Sequence, residues 1–587
     1  MANTVLDLLR WLDARLRSSA TMVVRRVPET QGLRHFDLMA ETVTAAHPHE
    51  TRDKSADLQT DLVSFTLSGS YDPNIPILID AEDHCRFVTH NKATRLVDLL
   101  AAVFEPGCTV CLHLPNDVLY PVLVLGILAA RAQWTGTNPA YTAPELEHHF
   151  RVSKTKYVIT IAECLETVRI AVRASGTDAE VIFFTDLLSD CYQHDEIRGH
   201  SPRCCHSLGA SPRAIRTLCD IIEQVRKSGP AIDSSKPLPD DIAALMQTSG
   251  TTGLPKMAAR THRSMVHELA AIADDDSLKN YQVRRLFCTP IFHAFSAPEM
   301  IFNALRLGRP SYFMRRYDET FAHKISLYRI TETFGPPAML LRLINKVNDH
   351  HLLQSLRYVA YGGAPLGPEL RRKFLGLFEN KPRLIPVYGM TEGGWYTTLK
   401  DLENDDTGSV GRSIPGYDIR IDERAGDSMN GCRTGELLVR GPPMMQSYLG
   451  NEKATTDAFQ DEWFKTGDIG YFEDGRVYLI DRIKEMIKVN SWQVSPTEVQ
   501  NALLESDAVA EAAVFGIGYG VEEHPVACVV PRGTSSADEL KAHLRTRLTG
   551  YKVNHTEIRF VKDIPKNSAG KIQKQILREQ VLRDIKS

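Results

Sequence analysis

The sequence predicts an α/β protein with more than one domain, and three observations support this. The chain has 587 residues, which is too long for a single hydrophobic core. Its composition, 43% hydrophobic and 24% charged, is that of a folded globular protein. From about residue 62, short apolar runs alternate with helical patterns, which is typical of parallel sheets covered by helices.

The predicted body is built from strands that alternate with helices. Strands are predicted at 77–80, 108–114 and 157–161, and helices at 94–104 and 118–130. Loops at the carboxyl ends of such strands are where an open α/β sheet binds its ligand. The run 118–130 is the longest apolar one, and 13 residues are too few to cross a bilayer. We therefore expect no membrane span.

A smaller α+β unit is predicted beyond residue 480. Its pattern gives helices at 496–504 and 538–548, strands at 508–515 and 526–530, and one last helix near the carboxyl terminus. The predicted parts are an extension at 1–61, a large domain at 62–480 and a small domain at 481–587. Within the extension, residues 5–16 carry apolar side chains on one helical face.

Charge and cysteine usage narrow the function classes. Lys and Arg total 69 against 73 Asp and Glu, so the net charge of −4 gives no reason to expect nucleic acid as a partner. The 11 cysteines lack zinc-site spacing, which favours reduced thiols in a cytosol-like compartment. We predict a cytoplasmic protein. The final Ile-Lys-Ser is a poor peroxisomal address, but a peroxisomal location stays open.

The most informative stretch reads Thr-Ser-Gly-Thr-Thr-Gly-Leu-Pro-Lys, from Thr248 to Lys256. An apolar run at 242–247 precedes it as a strand, and a helical pattern starts at about Thr261. A glycine- and hydroxyl-rich loop between strand and helix can wrap backbone N–H groups around phosphates. The glycines are too close together for an ordinary P-loop. Taken alone, the stretch is equally consistent with a surface turn.

Further chemistry-bearing residues follow predicted strands. His293 lies in an aromatic context, where a structural histidine is the simpler explanation. Tyr388, Thr391 and Glu392 share one strand end, so that a ring, a hydroxyl and a carboxylate suited to Mg²⁺ come together. Asp468 lies between glycines, which is consistent both with an aspartate that binds a ribose and with an ordinary turn aspartate. Lys571 follows Ser-Ala-Gly on a loop, where a lysine taken alone is usually solvated.

Taken together, these stretches resemble the adenylate-forming superfamily of acyl-CoA synthetases, peptide-synthetase adenylation domains and luciferases. The likeness covers about residues 62–580 and rests on the phosphate loop, Tyr-Gly-Met-Thr-Glu, Thr-Gly-Asp and Pro-Lys-x-x-x-Gly-Lys in the family's order. Tyr-Gly-Gly-Ala-Pro-Leu most resembles the 4-coumarate–CoA ligase-like branch. The resemblance implies a large domain of stacked, mostly parallel sheets with a barrel-like subdomain, followed by a small mobile domain hinged at Asp481.

The resemblance also implies two half-reactions with ATP, Mg²⁺ and CoA. A carboxylate first attacks the α-phosphate of ATP, giving acyl-AMP and pyrophosphate, and a thiol then attacks the acyl-AMP. Lys571 would bridge the carboxylate and α-phosphate, and Glu392 would bind Mg²⁺. The implied phosphate-binding residues are Thr248, Ser249, Gly250, Thr251, Thr252, Gly253 and Lys256. The implied nucleoside-binding residues are Gly363, Ala364, Pro365, Tyr388, Gly389, Met390, Thr391, Asp468 and Arg482.

For the second half-reaction, the resemblance implies a rotation of the small domain about Asp481. This rotation would withdraw Lys571 and bring in the loop after Lys488, with catalytic roles for Lys571, His293 and Lys488 in the cycle. The residues expected near CoA are Lys484, Arg316, Ser491 and Trp492. Asn490-Ser-Trp stands where the family usually has Lys-Gly before the aromatic, and a side chain there would narrow the pantetheine tunnel.

We therefore predict an AMP-forming acyl-CoA ligase for an aromatic or medium-chain acid. Amino-acid-activating relatives carry an aspartate at the position of His293, so an acid without an α-amine is favoured. The predicted acid pocket comprises His293, Phe295, Ser296, Glu299, Ala338, Met339, Tyr361, Gly389, Gly393 and Trp395. The alternatives are an adenylating enzyme that passes its acyl group to a carrier protein or an amine, and an inactive binding module.

Overall fold

The structure is a computed structural model of the chain. It describes residues 42–43, 58, 60–188, 215–228, 236–248, 255–347, 349–422, 428–429, 432–489, 492–518, 523–567 and 571–586. The amphipathic stretch at 5–16 lies outside the described residues, as do 249–254 of the phosphate loop and Ser491.

A seven-stranded sheet contains the strand that leads into the phosphate loop. Five successive strands pair in parallel, and one edge continues as two antiparallel strands. In spatial order the strands are Ser447–Tyr448, Met257–Thr261, Ile242–Gln247, Gln133–Gly136, Thr109–His113, Thr155–Thr160 and Glu180–Phe183. Strands were predicted at 108–114 and 157–161, and both are confirmed to within about two residues.

A nine-stranded sheet holds most of the remaining motifs. Six successive strands pair in parallel, and both edges end in antiparallel strands. In spatial order they are Arg412–Ser413, Gly394–Thr398, Arg383–Met390, Tyr358–Gly362, Glu332–Gly335, Arg285–Phe287, Ser311–Phe313, Leu78–Asp80 and Phe87–Val88. The sheet thus joins the chain near residue 80 to the segment that follows residue 380.

An antiparallel six-stranded sheet forms the third layer and matches the barrel-like subdomain that was expected. Its strands are Thr42–Val43, Asp418–Asp422, Gly435–Arg440, Trp463–Glu473, Phe459–Gln460 and Arg476–Arg482. A small hairpin, Ser428–Met429 with Cys432–Arg433, lies beside it in sequence. The last strand of the sheet ends at Arg482, directly after the predicted hinge residue.

Helices cover the two parallel sheets. The large-domain helices are Leu62–Thr66, His90–Leu100, Tyr120–Ala129, Ala143–Ser153, Leu165–Ser175, Leu218–Ser228, His262–Ile272, Ala304–Leu307, Phe321–Leu327, Pro337–Lys346, Pro368–Leu375 and Glu452–Ala458. Helix Tyr120–Ala129 is apolar all round and is buried almost completely in the main core. Helix His262–Ile272 begins where predicted, because the Thr261 hydroxyl accepts the Ser264 N–H at 3.1 Å.

One local prediction about the phosphate loop is wrong. The loop was expected to join a strand to a helix, but strand Met257–Thr261 lies between the loop and the helix. This strand pairs antiparallel with Ile242–Gln247, so the loop is the tip of a hairpin. Met257-Ala-Ala-Arg carries no β-branched residue, and its strand conformation depends on burial between two partner strands.

The small unit folds around its own apolar clusters. Strands Val509–Ile517 and His524–Pro531 pair antiparallel, and Glu557–Phe560 adds a parallel strand. The hairpin Ile487–Val489 with Trp492–Val494 precedes them. The helices are Pro496–Leu504, Ala537–Arg545, Gly550–Asn554 and Lys574–Lys586, which confirms the predicted α+β pattern. Among the described residues, no helix is long and apolar enough to cross a membrane.

The structure predicts that acid weakens the fold through buried histidines. His262 is 1% exposed, and its Nδ1 accepts the Leu62 N–H at 3.1 Å, which requires an unprotonated Nδ1. Burial lowers the pKa of His262 from 6.5 to about 4, and burial lowers those of His113 and His149 in the same way. The unfolded chain therefore binds more protons below pH 6.5.

We expect the free energy of unfolding to be fully maintained above pH 6.5 and to fall as the pH drops through about 4. Each such histidine contributes up to about 3 kcal/mol to this loss. Urea unfolding at several pH values measures it. In His262→Asn, whose Oδ1 can replace Nδ1 as acceptor, the free energy of unfolding should depend less steeply on pH. In the control His84→Gln, at an exposed site, this pH dependence should match that of the wild type. An unchanged slope in His262→Asn would contradict the assignment.

Candidate active site

The predicted site residues come together at the carboxyl ends of the nine-stranded sheet. His293 follows strand Arg285–Phe287, Gly363 follows Tyr358–Gly362, and Glu392 follows Arg383–Met390. Gly363, Ala364 and Pro365 are exposed on the turn, and a side chain at Gly363 (φ +81°) would meet open space. This open space beside the turn is where the resemblance places the nucleoside.

The neck of the phosphate loop is closed by two hydrogen bonds. The Thr248 N–H donates to the Lys256 carbonyl at 2.8 Å, and the Lys256 N–H donates to the Thr248 hydroxyl at 3.3 Å. Both residues thus keep the two ends of the loop together. The loop residues Ser249, Gly250, Thr251, Thr252 and Gly253 lie outside the described part, so their predicted phosphate contacts stay a prediction.

Tyr448 connects the phosphate loop to Glu392. Its hydroxyl donates to the Glu392 Oε1 at 2.7 Å, and the Lys256 Nζ lies 4.2 Å from the centre of its ring. Strand Ser447–Tyr448 pairs with Met257–Thr261, which fixes this arrangement. The predicted phosphate ligand and the predicted metal ligand therefore contact the same tyrosine, one at its ring and the other at its hydroxyl. Sequence analysis missed Tyr448, since nothing in its local sequence marks it.

Asp468 is the centre of a second cluster. Its Oδ2 accepts the Tyr388 hydroxyl at 2.9 Å, and its Oδ1 lies 3.0 Å from the Arg482 Nε. Burial raises the pKa of Asp468, while Arg482, Tyr388 and Lys571 act to lower it. The three residues predicted to bind the nucleoside are thus in direct contact, although they lie up to 94 positions apart in the sequence.

The chain bends sharply at Gly389, directly after Tyr388. The pairing between Arg383–Met390 and Gly394–Thr398 shifts its register between Tyr388 and Gly389. A side chain at Gly389 would come within 2.0 Å of the Gly394 carbonyl oxygen. Met390 ends the strand and Thr391 begins the turn that leads to Glu392, so the glycine is required for the sharp return of the chain.

Lys571 of the small unit lies in the same cleft. Its backbone is held by Asn567, which accepts the Lys571 N–H at 2.8 Å through its side chain and donates to the Lys571 carbonyl at 2.8 Å. Solvent reaches the side chain, but protein surrounds the cleft, and this enclosure together with Arg482 lowers the pKa of Lys571. Glu485 and Asp468 act in the opposite direction and balance its charge.

His293 faces Lys571 across the cleft. Its ring is exposed to the cleft yet surrounded by protein, and this enclosure, with the Lys571 ammonium, lowers the pKa of His293 to about 4. Its Nδ1 accepts the Phe295 N–H at 3.2 Å, which is a bond of the neutral ring. His293 is therefore uncharged at neutral pH.

The walls of the predicted acid pocket are partly aromatic. The rings of Phe295 and Trp395 are stacked with their centres 5.7 Å apart, and the Trp395 Nε1 donates to the Phe295 carbonyl at 3.2 Å. The Trp395 N–H donates to the Glu268 Oε1 at 3.2 Å, and Glu268 forms a fully buried ion pair with Arg260 at 3.0 Å. This pair, which sequence analysis also missed, ties the pocket wall to the strand after Lys256.

Several other predicted pocket residues are engaged elsewhere. Glu299, which is 3% exposed, is paired with Arg285 and accepts from Asn303 at 2.8 Å, so its carboxylate belongs to a buried ion cluster and not to a pocket. The Ser296 hydroxyl donates to the Thr289 hydroxyl at 2.8 Å. Met339 is buried and packs on Gly335, Tyr361 is buried on the core side, and Ala338 and Gly393 are partly or fully covered.

The predicted hinge residue, Asp481, is bonded to the small unit. Its Oδ1 accepts the Arg482 N–H at 2.8 Å, and its Oδ2 accepts the Thr497 N–H at 3.0 Å and the Ser495 hydroxyl. It thus holds the start of helix Pro496–Leu504. Beyond it the two units touch through exposed polar pairs, including Lys373 with Asp507 at 2.8 Å.

The residues predicted for the second half-reaction come from the nine-stranded sheet and from the chain just after Asp481. Arg316 is exposed on the loop after Ser311–Phe313, and Lys484 is exposed two positions after Arg482. Lys488 and Trp492 lie on the two strands of the hairpin that follows the hinge. Their roles stay predictions.

The donor set beside the phosphate loop suits Mg²⁺. No group of three or more His, Cys, Asp or Glu residues able to hold a metal occurs in the described part of the chain. Glu392, 6% exposed, offers one carboxylate next to the phosphate loop. Mg²⁺ commonly binds in this way, through one or two carboxylates plus water and substrate phosphates.

Two family models match the chain. Residues 68–449 match the model described as AMP-binding enzyme, and residues 498–571 match AMP-binding enzyme C-terminal domain. Among curated proteins, "Acyl-CoA ligase M9" of a Phoma species is 45% identical over 89% of this chain and 96% of its own length. "Phenylacetyl-CoA ligase epaB" of Aspergillus niger is 33% identical over 89% of this chain and 96% of its own.

A solved structure agrees with the fold. The anthranilate CoA ligase AuaEII in complex with anthranoyl-AMP superposes with a TM-score of 0.77, covering 91% of this chain and all of that one. At 20% sequence identity, this likeness bears on the fold alone.

The contacts of Tyr448 predict a role in nucleotide binding. Tyr448→Phe keeps the ring near Lys256 but removes the hydrogen bond to Glu392. We expect the affinity for Mg²⁺–ATP to fall by about fivefold, the value of one hydrogen bond near 1 kcal/mol. Titration calorimetry with and without Mg²⁺ measures it. Tyr312→Phe, whose ring stacks on Tyr328 in the nine-stranded sheet, is the control. Equal affinities in Tyr448→Phe and wild type would contradict this role.

Proposed function

The chain belongs to the AMP-binding enzyme family, and from this premise we propose that it is an AMP-forming acyl-CoA ligase. It activates an aromatic or medium-chain carboxylic acid with ATP and then transfers the acyl group to CoA. The observation that carries the proposal is the position of Lys571, which lies in one cleft with Asp468, Arg482 and His293. A solvated surface lysine would have no reason to approach that cluster.

In the first half-reaction, the acid's carboxylate oxygen attacks the α-phosphorus of ATP and pyrophosphate leaves. The charge that builds on the phosphate oxygens needs fixed cations, and Lys571 supplies one from the small unit while Lys256 supplies one from the phosphate loop. The Asp468 carboxylate accepts hydrogen bonds from the ribose hydroxyl groups. Arg482 and Tyr388 fix the orientation of this carboxylate. A neutral His293 lies next to the reacting carboxylate without pairing its charge.

Glu392 is the proposed ligand of Mg²⁺, which neutralises phosphate charge when bound. Tyr448 holds the Oε1 atom of Glu392, so the carboxylate keeps a fixed direction toward the neck of the phosphate loop. Thr248 and Lys256 keep that neck closed by their mutual hydrogen bonds. The chain's own contribution is thus a carboxylate held at the Tyr448 hydroxyl and an ammonium at the Tyr448 ring.

For the second half-reaction, we propose a rotation of residues 481–587 about Asp481, with 62–480 as the stationary domain. Two of the contacts between the units, Lys373 with Asp507 and Arg532 with Asn345, are exposed polar pairs, which are individually weak and can be exchanged. Rotation withdraws Lys571 and lets the hairpin with Lys488 and Trp492 approach the acyl-AMP, while Lys484, Ser491 and Arg316 serve CoA.

The proposed acid lacks an α-amine and has a flat or short body. Neutral His293 offers no carboxylate for an ammonium, and the stacked Phe295 and Trp395 suit an aromatic ring. The relative named for a phenylacetyl group is consistent with this class. We propose a cytosolic location, because the eight described cysteines are all free.

A second candidate acceptor follows from the departure at Asn490-Ser-Trp, where a narrower pantetheine tunnel favours a carrier protein or an amine over free CoA. A panel of aromatic, medium-chain and amino acids, tested for ATP-dependent pyrophosphate release with and without CoA, separates the candidates. Release of acyl-CoA supports the ligase. Accumulation of acyl-AMP at saturating CoA favours the carrier or amine, and no turnover with any acid would exclude an adenylating enzyme.

Lys571 should be needed for only one of the two half-reactions. Lys571→Ala removes the cation beside the α-phosphate, and we expect adenylation to fall by at least about a hundredfold. Thiolysis of supplied acyl-AMP should stay within about threefold of wild type, because the rotation withdraws this residue. Separate single-turnover assays measure the two steps. Lys562→Ala, an exposed lysine of the same unit, is the matched control. Equal loss of both half-reactions would refute the assignment.

A further inference from the structure

A second cavity lies at the amino ends of two strands of the nine-stranded sheet, whereas the catalytic cleft lies at the carboxyl ends of its strands. It has a volume of about 400 Å³, and its lining includes Tyr281, Ser326, Arg329, Thr331, His351 and Arg357. Thr331 and Arg357 directly precede the parallel strands Glu332–Gly335 and Tyr358–Gly362. His293, Gly363 and Glu392 instead follow the carboxyl ends of strands of this sheet. The two sites are therefore at opposite ends of the same strands.

The lining of this cavity carries positive charge and no carboxylate. Two guanidinium groups and one imidazole line it, together with hydroxyl groups and a leucine. Glu332 lies close by, but its charge is taken up by Lys279 at 2.7 Å, and it accepts the Tyr281 hydroxyl at 3.1 Å. Asp349 accepts the His351 N–H at 3.1 Å through its side chain. An anion is thus the ligand that this charge distribution favours.

One of the two arginines is fixed before any ligand arrives. The Arg357 Nη1 donates to the carbonyls of Gln354 and Leu356 at 2.7 and 2.8 Å, so its guanidinium is already oriented on the cavity wall. A fixed guanidinium loses little conformational entropy on binding, and its planar fork matches the oxygens of a phosphate.

The other arginine occupies a backbone position that glycine would favour. Arg329 ends helix Phe321–Leu327 with φ +49°, in the left-handed region, held by its N–H bond to the Ser326 carbonyl at 3.2 Å. Its guanidinium makes no hydrogen bond or ion pair with the described residues. Its exposed guanidinium is therefore available to a ligand in the cavity.

We propose that this cavity binds a small organic phosphate, with Arg329 and Arg357 on the phosphate group and His351 and Ser326 beside it. Its volume of about 400 Å³ exceeds that of a bare phosphate ion and lies in the range of small-metabolite sites. The site is separate from the nucleotide cleft, because it opens at the opposite ends of the strands. The proposal does not depend on the acyl-CoA ligase assignment.

Equilibrium dialysis of the full chain with radiolabelled orthophosphate tests the site. The catalytic cleft is first filled with Mg²⁺ and α,β-methylene-ATP, so that remaining binding reports on other sites. We expect one phosphate per chain in the wild type and at least about tenfold weaker binding in Arg329→Ala and in Arg357→Lys, which keeps the charge but loses the fork. Arg173→Ala, at an exposed position on helix Leu165–Ser175, should bind as the wild type does.

Competition then identifies the ligand class. A sugar phosphate or AMP should displace orthophosphate at lower concentration than unlabelled orthophosphate does. If the sugar phosphate and AMP displace labelled orthophosphate no better than unlabelled orthophosphate does, the ligand is not an organic phosphate. If citrate displaces it equally well, the site is not restricted to phosphates. Absence of saturable binding up to about 10 mM, or unchanged binding in Arg329→Ala, would overturn the site itself. Thermal midpoints of all variants without phosphate must match that of the wild type.

Discussion

The buried carboxylate of Asp468 is the constraint on which the catalytic cleft depends. It accepts from Tyr388 and pairs with Arg482, and the ammonium of Lys571 acts on it from the small unit. A buried charge without partners would be strongly destabilising, so these groups must be held in place together. Both cations follow the predicted hinge residue, since Arg482 comes directly after Asp481 and Lys571 lies near the carboxyl terminus. Asp468 is therefore held by residues from both sides of the predicted hinge, because Tyr388 precedes Asp481 and Arg482 follows it.

The buried ion pairs lie within the large unit and exposed pairs lie between the units, which fits a small unit that moves. Inside the large unit, charges are paired deep in the core, as in Arg260 with Glu268 and Arg285 with Glu299. Between the units, the pairs are exposed, as in Lys373 with Asp507 and Arg532 with Asn345. Exposed pairs contribute little to stability, typically about 0–1 kcal/mol. The deepest of these ion pairs thus lie within the large unit, whereas those between the units are exposed and individually weak.

Much of the site was predictable, because its residues belong to short motifs whose chemistry is local. Glycine and hydroxyl residues between apolar runs indicate a phosphate loop, and a tyrosine, a threonine and a glutamate at one strand end indicate a nucleotide edge. Tyr448 was missed, since it acts through strand Ser447–Tyr448, which pairs with a segment almost 190 residues earlier. Arg260 and Glu268 were missed for a related reason. Charged residues in an amphipathic pattern are expected to face solvent, whereas here both are buried beneath Trp395.

The sequence by itself determined the alternation of strands and helices, the order of the motifs, and therefore the α/β class and the expected reaction. Apolar periodicity and turn residues are local properties, and local properties can be read without the fold. Only the tertiary structure decided that the phosphate loop is the tip of a hairpin, that Glu299 serves an ion cluster, and that Tyr448 joins Lys256 to Glu392. These outcomes depend on pairing and burial between distant segments, whose energies are not encoded at any one position of the chain.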